Sequence, residues 1–265
     1  MSILENKHYR EDSVFKAENL LREAKRQKAL PDGEIPAVCL LDPDGDLLDY
    51  LLEKSEARLN KCWACYHSKL YSFNLEGVEI GILPCVVGSS YAVLVAEQLF
   101  VSGCRLLLSA TSAGIIQRPA NTKKFVLITS SVRDEGTSYH YLPPGHPSTL
   151  NTGLFKLLHA QEQSEACPYF DGISWTTDAP FRETASAIKS MQRQNVVCVE
   201  MEAAALYALA EVKKYPIVCF AHLTNSMAQK EGDFEKGEAF GSLDTLRLVK
   251  YVLDILWSAN IRKEE

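Results

Sequence analysis

The sequence lacks the long apolar runs that membrane insertion and secretion require. Even the most apolar stretch, from Tyr91 to Ala110, is interrupted by Glu97, Gln98 and Arg105, so it falls short of the roughly 18 continuous apolar residues of a membrane-spanning helix. The first ten residues contain no apolar segment of the kind that directs secretion. We therefore expect a cytoplasmic protein that makes no membrane contact.

The sequence also has fewer basic than acidic residues. The chain has 28 lysines and arginines against 34 aspartates and glutamates, a net charge of −6, which argues against a nucleic-acid partner. Glycine and proline number only 14 and 11 among 265 residues, too few for a fibrous or low-complexity chain. The remaining class is an ordinary globular protein.

The eight cysteines are scattered, and five of them lie inside apolar runs. This distribution is typical of buried free thiols in a reducing compartment, so we expect no disulfide framework. Cys62 and Cys65 have the spacing of a redox motif or of half a zinc site, but no second ligand pair accompanies them. We interpret them as two ordinary residues at the ends of a short strand and predict no metal site.

Several common catalytic motifs are missing. The chain contains no G-x-G-x-x-G, P-loop, H-E-x-x-H or G-x-S-x-G sequence. The sequence therefore gives little support for a dinucleotide-binding protein, a nucleoside-triphosphate-binding protein, a zinc protease or an α/β-hydrolase.

Hydrophobic periodicity predicts alternating helices and strands. We expect helices over 12–28, 47–59, 90–101, 151–163, 203–212 and 243–257, and strands over 37–41, 63–73, 78–83, 105–109, 125–132, 172–177 and 217–223. Such alternation favours an α/β sandwich with helices around a mixed sheet. We divide the chain into an N-terminal helical extension, 1–33, and a single domain, 34–265.

Two carboxylates, Glu200 and Glu202, flank Met201 directly before an alanine-rich helix. A carboxylate at a helix start is stabilised by the helix dipole and can accept hydrogen bonds from two neighbouring hydroxyls. That chemistry suits the diol of a ribose. Considered by themselves, the same residues also fit ordinary acids at a helix N-terminus.

The motif Glu200-Met201-Glu202, followed by small residues, resembles the ribose-binding signature of one enzyme family. This is the nucleoside phosphorylase family, which contains uridine phosphorylase, bacterial purine nucleoside phosphorylase and methylthioadenosine nucleosidase. Four further segments resemble family motifs in the same order, members of the uridine phosphorylase type above all: 42–44, 109–114, 131–141 and 176–183. Together the similar segments span roughly residues 36–257.

The resemblance implies a three-layer α/β/α sandwich around a mixed, distorted sheet. It also implies a pentosyltransferase that cleaves the N-glycosidic bond of a ribonucleoside with inorganic phosphate as co-substrate and no other cofactor. Relatives complete each pocket with residues of a neighbouring subunit, which implies a homodimer or a dimer-based hexamer.

The resemblance also assigns residues to the sugar and the base. Glu202 would bind the ribose 2′- and 3′-hydroxyls beside the Met201 backbone, with Glu200 in the same pocket and without a defined role. Arg182 would donate to a pyrimidine carbonyl, although it could instead form a surface salt bridge. Thr177 belongs to the same base-side loop. Asn225 stands where purine-type enzymes carry an aspartate, and because an amide cannot act as a general acid, we expect a hydrogen-bonding reader of a uridine-like base.

The phosphate site departs from the family pattern. Leu41, Gly45 and Ser109 occupy positions where the family carries a glycine and two arginines, so charge-assisted contacts worth about 1.5–3 kcal/mol each are missing.

Three alternatives stay open at this point. The first is a phosphorylase that holds phosphate with Thr111, Ser112 and Arg133. The second is a nucleosidase in which Asp44 or Asp46 activates water. The third is a non-catalytic homologue that only binds a nucleoside.

Overall fold

The computed structural model describes residues 2–117, 121–161, 164–227 and 231–259. Its strands are β1 Val38–Asp42, β2 Ala57–Leu59, β3 Tyr71–Leu75, β4 Val78–Pro84, β5 Leu106–Ile115, β6 Phe125–Asp134, β7 Ser148–Thr149, β8 Tyr169–Thr177, β9 Val196–Glu200 and β10 Ile217–Asn225. Its α-helices are α1 Ala17–Lys28, α2 Asp46–Glu53, α3 Ser89–Val101, α4 Thr152–His159, α5 Ala185–Arg193, α6 Ala203–Lys213 and α7 Ser242–Ala259.

All ten strands belong to one mixed sheet with the order β10-β6-β8-β9-β5-β1-β4-β3-β2, and β7 pairs with β6. β10 also pairs with β5, so five of the strands close into a ring and the sheet is strongly distorted. β1, β5 and β10 run parallel to one another, as do β6, β8 and β9. The two sets meet through antiparallel pairs, β5 with β9 and β6 with β10. The predicted α/β class with a mixed, distorted sheet is confirmed.

Burial explains why these segments form the core. Every residue of β1 is buried, as expected for a parallel strand that is covered on both faces. In α6 the first eight residues, 203–210, are all buried, and the helix packs against α3 and the sheet. Five of these eight residues are alanines, whose small side chains leave room for neighbouring elements.

The segment from 47 to 73 differs from the prediction. α2 ends at Glu53, and residues 57–59 form β2 rather than continuing the helix. The predicted strand over 63–73 is wrong for most of its length, because β3 begins only at Tyr71. Side-chain bonds hold the preceding residues in a loop: Asn60 Oδ1 accepts from the Cys62 N–H at 3.0 Å and the Trp63 indole donates to Ser68 Oγ at 2.9 Å. Such local bonds compete with strand pairing.

The loop also corrects the interpretation of the Cys62 and Cys65 pair. They are not the two ends of a strand. All eight cysteines are free thiols, and six of them are buried. No group of three or more His, Cys, Asp or Glu side chains suited to a metal ion occurs among the described residues.

The prediction missed α5 and β9, which lie between β8 and α6. α5 begins at the N-cap Thr184, whose hydroxyl accepts from the Ala187 N–H, and β9 delivers Glu200 to the end of the sheet. At the N-terminus, α1 buries Leu21 and Ala24 in a small cluster with Ala64. Across the described ranges, no helix has the length and apolarity to cross a membrane.

Candidate active site

A cavity of about 570 Å³ lies where the two sets of parallel strands meet. Ligand sites in α/β proteins commonly lie outside the carboxyl ends of such strands. Segments that follow β1, β8 and β9, the outer half of β5 and the end of β10 supply the wall. The lining residues are Pro43, Asp44, Val87, Thr111, Ser112, Ala113, Gly114, Pro180, Phe181, Glu183, Ile188, Val199, Glu200, Met201, Glu202, Asn225, Met227 and Phe234.

Glu202 is a fully buried polar group of this wall with an unused acceptor. Its side chain is 2% exposed, and Oε1 accepts from the Gly88 N–H at 2.7 Å. Oε2 has no hydrogen-bond partner among the described residues, which costs about 1–3 kcal/mol for a buried polar atom. Burial, reinforced by the charge of Glu200, raises the pKa of Glu202 to about 8. A ligand hydroxyl that donates to Oε2 would recover the lost bond.

Glu200 lines the same cavity, but its carboxylate is fully engaged by the protein. Oε2 accepts from the N–H groups of Glu202 and Ala203, both at 2.7 Å. Oε1 accepts from the hydroxyls of Ser174, at 2.9 Å, and Thr176. These bonds satisfy N–H groups at the start of α6, which have no partner within the helix. The role left undefined by the sequence is therefore to hold the Glu202 backbone in place.

The strand β5 contributes two hydroxyls at the end of the cavity nearest β1. Ser112 Oγ donates to Asp44 Oδ1 at 2.9 Å, and Thr111 Oγ1 donates to the Ser112 carbonyl at 3.2 Å. Asp44 Oδ2 lies 3.2 Å from Lys236 Nζ, and the same ammonium group pairs with Asp46. At this end of the cavity, Asp44 therefore shares the Lys236 ammonium group with Asp46. None of the described residues that line the cavity is an arginine or a lysine.

The opposite end of the cavity is largely apolar. Ile188 and Met227 pack with Val199 in one hydrophobic cluster. A Cβ on Gly114 would lie 2.7 Å from the Met227 sulfur and 3.0 Å from Val199, so a larger residue here would displace these two side chains. A flat, uncharged ring is the kind of group that such a wall accommodates.

Two polar side chains, Asn225 and Glu183, accompany this apolar wall. The side-chain amide of Asn225 already makes two hydrogen bonds within the protein: Oδ1 accepts from the Met227 N–H at 2.9 Å, and Nδ2 donates to Thr224 Oγ1 at 3.2 Å. One N–H of the amide remains for a ligand. Glu183 and the 99% exposed ring of Phe181 come from the segment that follows β8.

Six of the nine residues predicted to contact the ribose, the base or phosphate line the cavity. They are Thr111, Ser112, Glu200, Met201, Glu202 and Asn225.

The other three predicted residues lie outside the cavity. Arg133 is held elsewhere: it donates to Ser138 Oγ and to three backbone carbonyls within 2.7–2.9 Å and lies over the Tyr139 ring. The structure therefore does not place it at a phosphate site. Thr177 Oγ1 accepts from the Ala179 N–H, and Arg182 is exposed between two lining residues.

Sequence reasoning missed several contributors to the site. Lys236 pairs with Asp44 and Asp46, although it lies 190 residues after Asp46 in the chain. No local sequence pattern predicts that contact. Phe181 and Glu183 belong to a segment that resembles a family motif, but only Arg182 between them carried an assigned role. The Gly88 N–H that binds Glu202 is also without a sequence signal.

The fold and the cavity define a class: α/β proteins whose closed mixed sheet places a buried carboxylate in a cleft at the strand ends. Solved structures with this fold include uridine phosphorylase from Vibrio fischeri ES114, with a TM-score of 0.70, 16% identity, and coverage of 84% of this chain and 92% of that one. AMP nucleosidase from Bacteroides thetaiotaomicron VPI-5482 gives a TM-score of 0.67, 19% identity, and coverage of 84% and 91%.

The chain belongs to the phosphorylase superfamily, whose family model matches residues 38–256. Among curated relatives, guanosine phosphorylase of Halorubrum lacusprofundi is 25% identical over 146 residues, which cover 55% of this chain and 60% of that protein. The chain thus spans only about three fifths of the length of that relative. The family assignment made from the motifs is confirmed.

Proposed function

We propose that this protein cleaves the N-glycosidic bond of a ribonucleoside and that Glu202 binds the ribose hydroxyls. The observation that carries the proposal is Glu202 Oε2, a buried acceptor in the cavity wall without a partner among the described residues. A carboxylate there can accept from a sugar diol. It also stabilises the positive charge that develops on the ribosyl group as the bond breaks. Relatives named guanosine phosphorylase and uridine phosphorylase, and a structural neighbour named AMP nucleosidase, support a substrate of this class.

With ribose at Glu202, the apolar end of the cavity receives the base. Ile188, Val199 and Met227 would contact the ring, and Phe181, exposed beside them, can close over its face. The free N–H of Asn225 can donate to a ring carbonyl, which favours a uridine-like base. Arg182 lies between two lining residues, and a rotamer change toward the cavity would let it supply a second donor.

The charges at the other end of the cavity, beside Ser112 and Asp44, favour water over phosphate as the nucleophile. A phosphate dianion beside Ser112 would meet the carboxylate of Asp44, and the nearby Lys236 ammonium already pairs with Asp44 and Asp46. Asp44 is instead suited to accept a proton from a water molecule that attacks C1′. We therefore favour hydrolysis to free base and ribose.

Phosphorolysis is the second candidate, because Thr111 and Ser112 present hydroxyls at the expected position and several relatives are named phosphorylases. For Lys236 to bind phosphate it would have to leave Asp44. The product would then be ribose 1-phosphate instead of ribose.

The deciding experiment measures base release from uridine, inosine, guanosine and adenosine across a phosphate titration, with the sugar product identified by mass spectrometry. We expect base release without phosphate and free ribose as the product. Release that requires phosphate and yields ribose 1-phosphate would reject hydrolysis in favour of phosphorolysis. Binding without release from any nucleoside would instead support the non-catalytic alternative.

A further inference from the structure

We propose that Glu183 is the general acid that protonates the departing base. This inference rests on the proposed function, because it assigns the proton donor for the same cleavage. The bond between C1′ and the base nitrogen breaks most easily when the base accepts a proton as it leaves, since an unprotonated base departs as an anion.

The position of Glu183 follows from the way β8 connects to α5. The chain leaves β8 at Thr177, forms a short 3-10 turn over Pro180–Arg182 and enters α5 through Thr184. Glu183 therefore lies directly before the N-cap of the helix whose Ile188 belongs to the apolar base wall. The segment lines the same cavity as Asp44, which belongs to the loop after β1.

The other polar groups near the base cannot supply the proton. Asn225 is a neutral amide, and Arg182 does not lose its proton in a protein. Glu200 accepts four hydrogen bonds and is withdrawn into the protein. Glu202 belongs to the sugar site, and Asp44 lies at the nucleophile end. Among the described lining residues, Glu183 is the remaining ionisable group.

The surroundings of Glu183 favour its protonated form. Its carboxyl group makes no hydrogen bond or salt bridge with any described residue, and it is only partly exposed. Burial alone raises its pKa to about 7. The charged groups that share the cavity are the carboxylates of Asp44, Glu200 and Glu202. Arg182 is adjacent in sequence but exposed.

The proposed step balances in protons and electrons. As water forms a bond to C1′, the electron pair of the C1′–N bond passes to the base. Glu183 transfers its proton to a base nitrogen or carbonyl oxygen and becomes a carboxylate. The water gives its proton to Asp44, and exchange with solvent returns both groups to their starting states. The net reaction converts nucleoside and water into ribose and neutral base.

The test compares Glu183→Gln with wild type on two substrates that need the acid to different degrees. The first is whichever of uridine, inosine, guanosine or adenosine the wild type cleaves fastest. The second is 4-nitrophenyl β-D-ribofuranoside, whose phenolate leaves without protonation. We expect kcat on the nucleoside to fall about 100-fold or more and kcat on the nitrophenyl riboside to change less than threefold. Glu238→Gln, at an exposed position outside the cavity, is the matched control and should match wild type on both.

The pH profile provides a second readout. At saturating nucleoside, where the bound ribose already holds Glu202 in its ionised form, a required acid with a pKa of about 7 makes kcat of the wild type decline as pH rises above that value, and Glu183→Gln should lack this decline. Glu183→Asp, which keeps the carboxyl group, should recover part of the rate on the nucleoside.

The outcomes separate the inference from the proposed function. Equal losses on both substrates, or unchanged rates on both, would overturn the role of Glu183 and leave glycosidic cleavage standing. A wild type that cleaves neither substrate would overturn the proposed function and this inference with it.

Discussion

Replacing Glu202 by Gln removes the acceptor on which the proposed ribose site depends. In the variant an amide NH₂ takes the place of Oε2 or of the oxygen that binds the Gly88 N–H, so one of the two contacts becomes a clash between donors. A charge-assisted bond is worth about 1.5–3 kcal/mol, and the loss of one predicts at least a tenfold weaker affinity for a ribonucleoside, about 1.4 kcal/mol.

The effect should depend on pH in a defined direction. Because burial and the neighbouring charge of Glu200 raise the pKa of Glu202 to about 8, the protonated acid predominates at pH 7. Hydroxyl donors favour the ionised form, so binding releases a proton. The affinity of the wild type should therefore increase about tenfold from pH 7 to pH 9, whereas Glu202→Gln should show no such increase.

Pseudouridine is a suitable probe, because its C–C glycosidic bond is not cleaved by this chemistry and calorimetry can follow binding at equilibrium. 2′-Deoxypseudouridine, which keeps the C–C bond but lacks one hydroxyl of the diol, should bind more weakly to wild type and about equally to both proteins. Glu238→Gln serves again as control. If Glu202→Gln binds pseudouridine as the wild type does across this pH range, Glu202 is not part of the ribose site.

Three further predictions concern the support of the site, the base and the assembly. Glu200→Ala leaves the N–H groups of Glu202 and Ala203 without their acceptor, so the free energy of unfolding in urea should fall by about 2–4 kcal/mol; an unchanged midpoint would contradict its capping role. The same variant removes a charge that raises the pKa of Glu202, so any residual pH dependence of binding should shift to lower pH. Arg182→Ala should weaken binding of pseudouridine more than that of adenosine or guanosine, and equal losses for every nucleoside would point to a loop defect instead. The exposed apolar side chains Leu52, Tyr66, Val87 and Leu94 predict a homodimer or a dimer-based hexamer in sedimentation, and a stable monomer at micromolar concentration would refute it.

Local sequence patterns predicted most of the helices and strands. Strands that are buried on both faces appear as continuous apolar runs, which is why β1 and β10 were placed close to their observed bounds. α5 was missed because it contains few strongly apolar residues and none of them is fully buried. β9 was missed although residues 196–199 form a largely buried apolar run, because so short a run does not distinguish a strand from part of a helix. The 60–70 loop was mistaken for a strand because its aromatic residues have strand propensity, whereas side-chain bonds to Asn60 and Ser68 decide its conformation.

For the site, the sequence by itself determined the family and pointed to the carboxylate that we propose for ribose binding and to the hydroxyls of β5, since these residues stand in short motifs. Only the tertiary structure decided how their hydrogen bonds are distributed. In the structure, the Glu200 carboxylate binds N–H groups at the start of α6, and the Arg133 guanidinium donates to backbone carbonyls of a nearby loop. The Lys236 ammonium pairs with Asp44. Each of these outcomes is a competition between partners that lie far apart in the chain or in a neighbouring loop. A motif records which groups are present, but packing determines which of them remain free to meet a ligand.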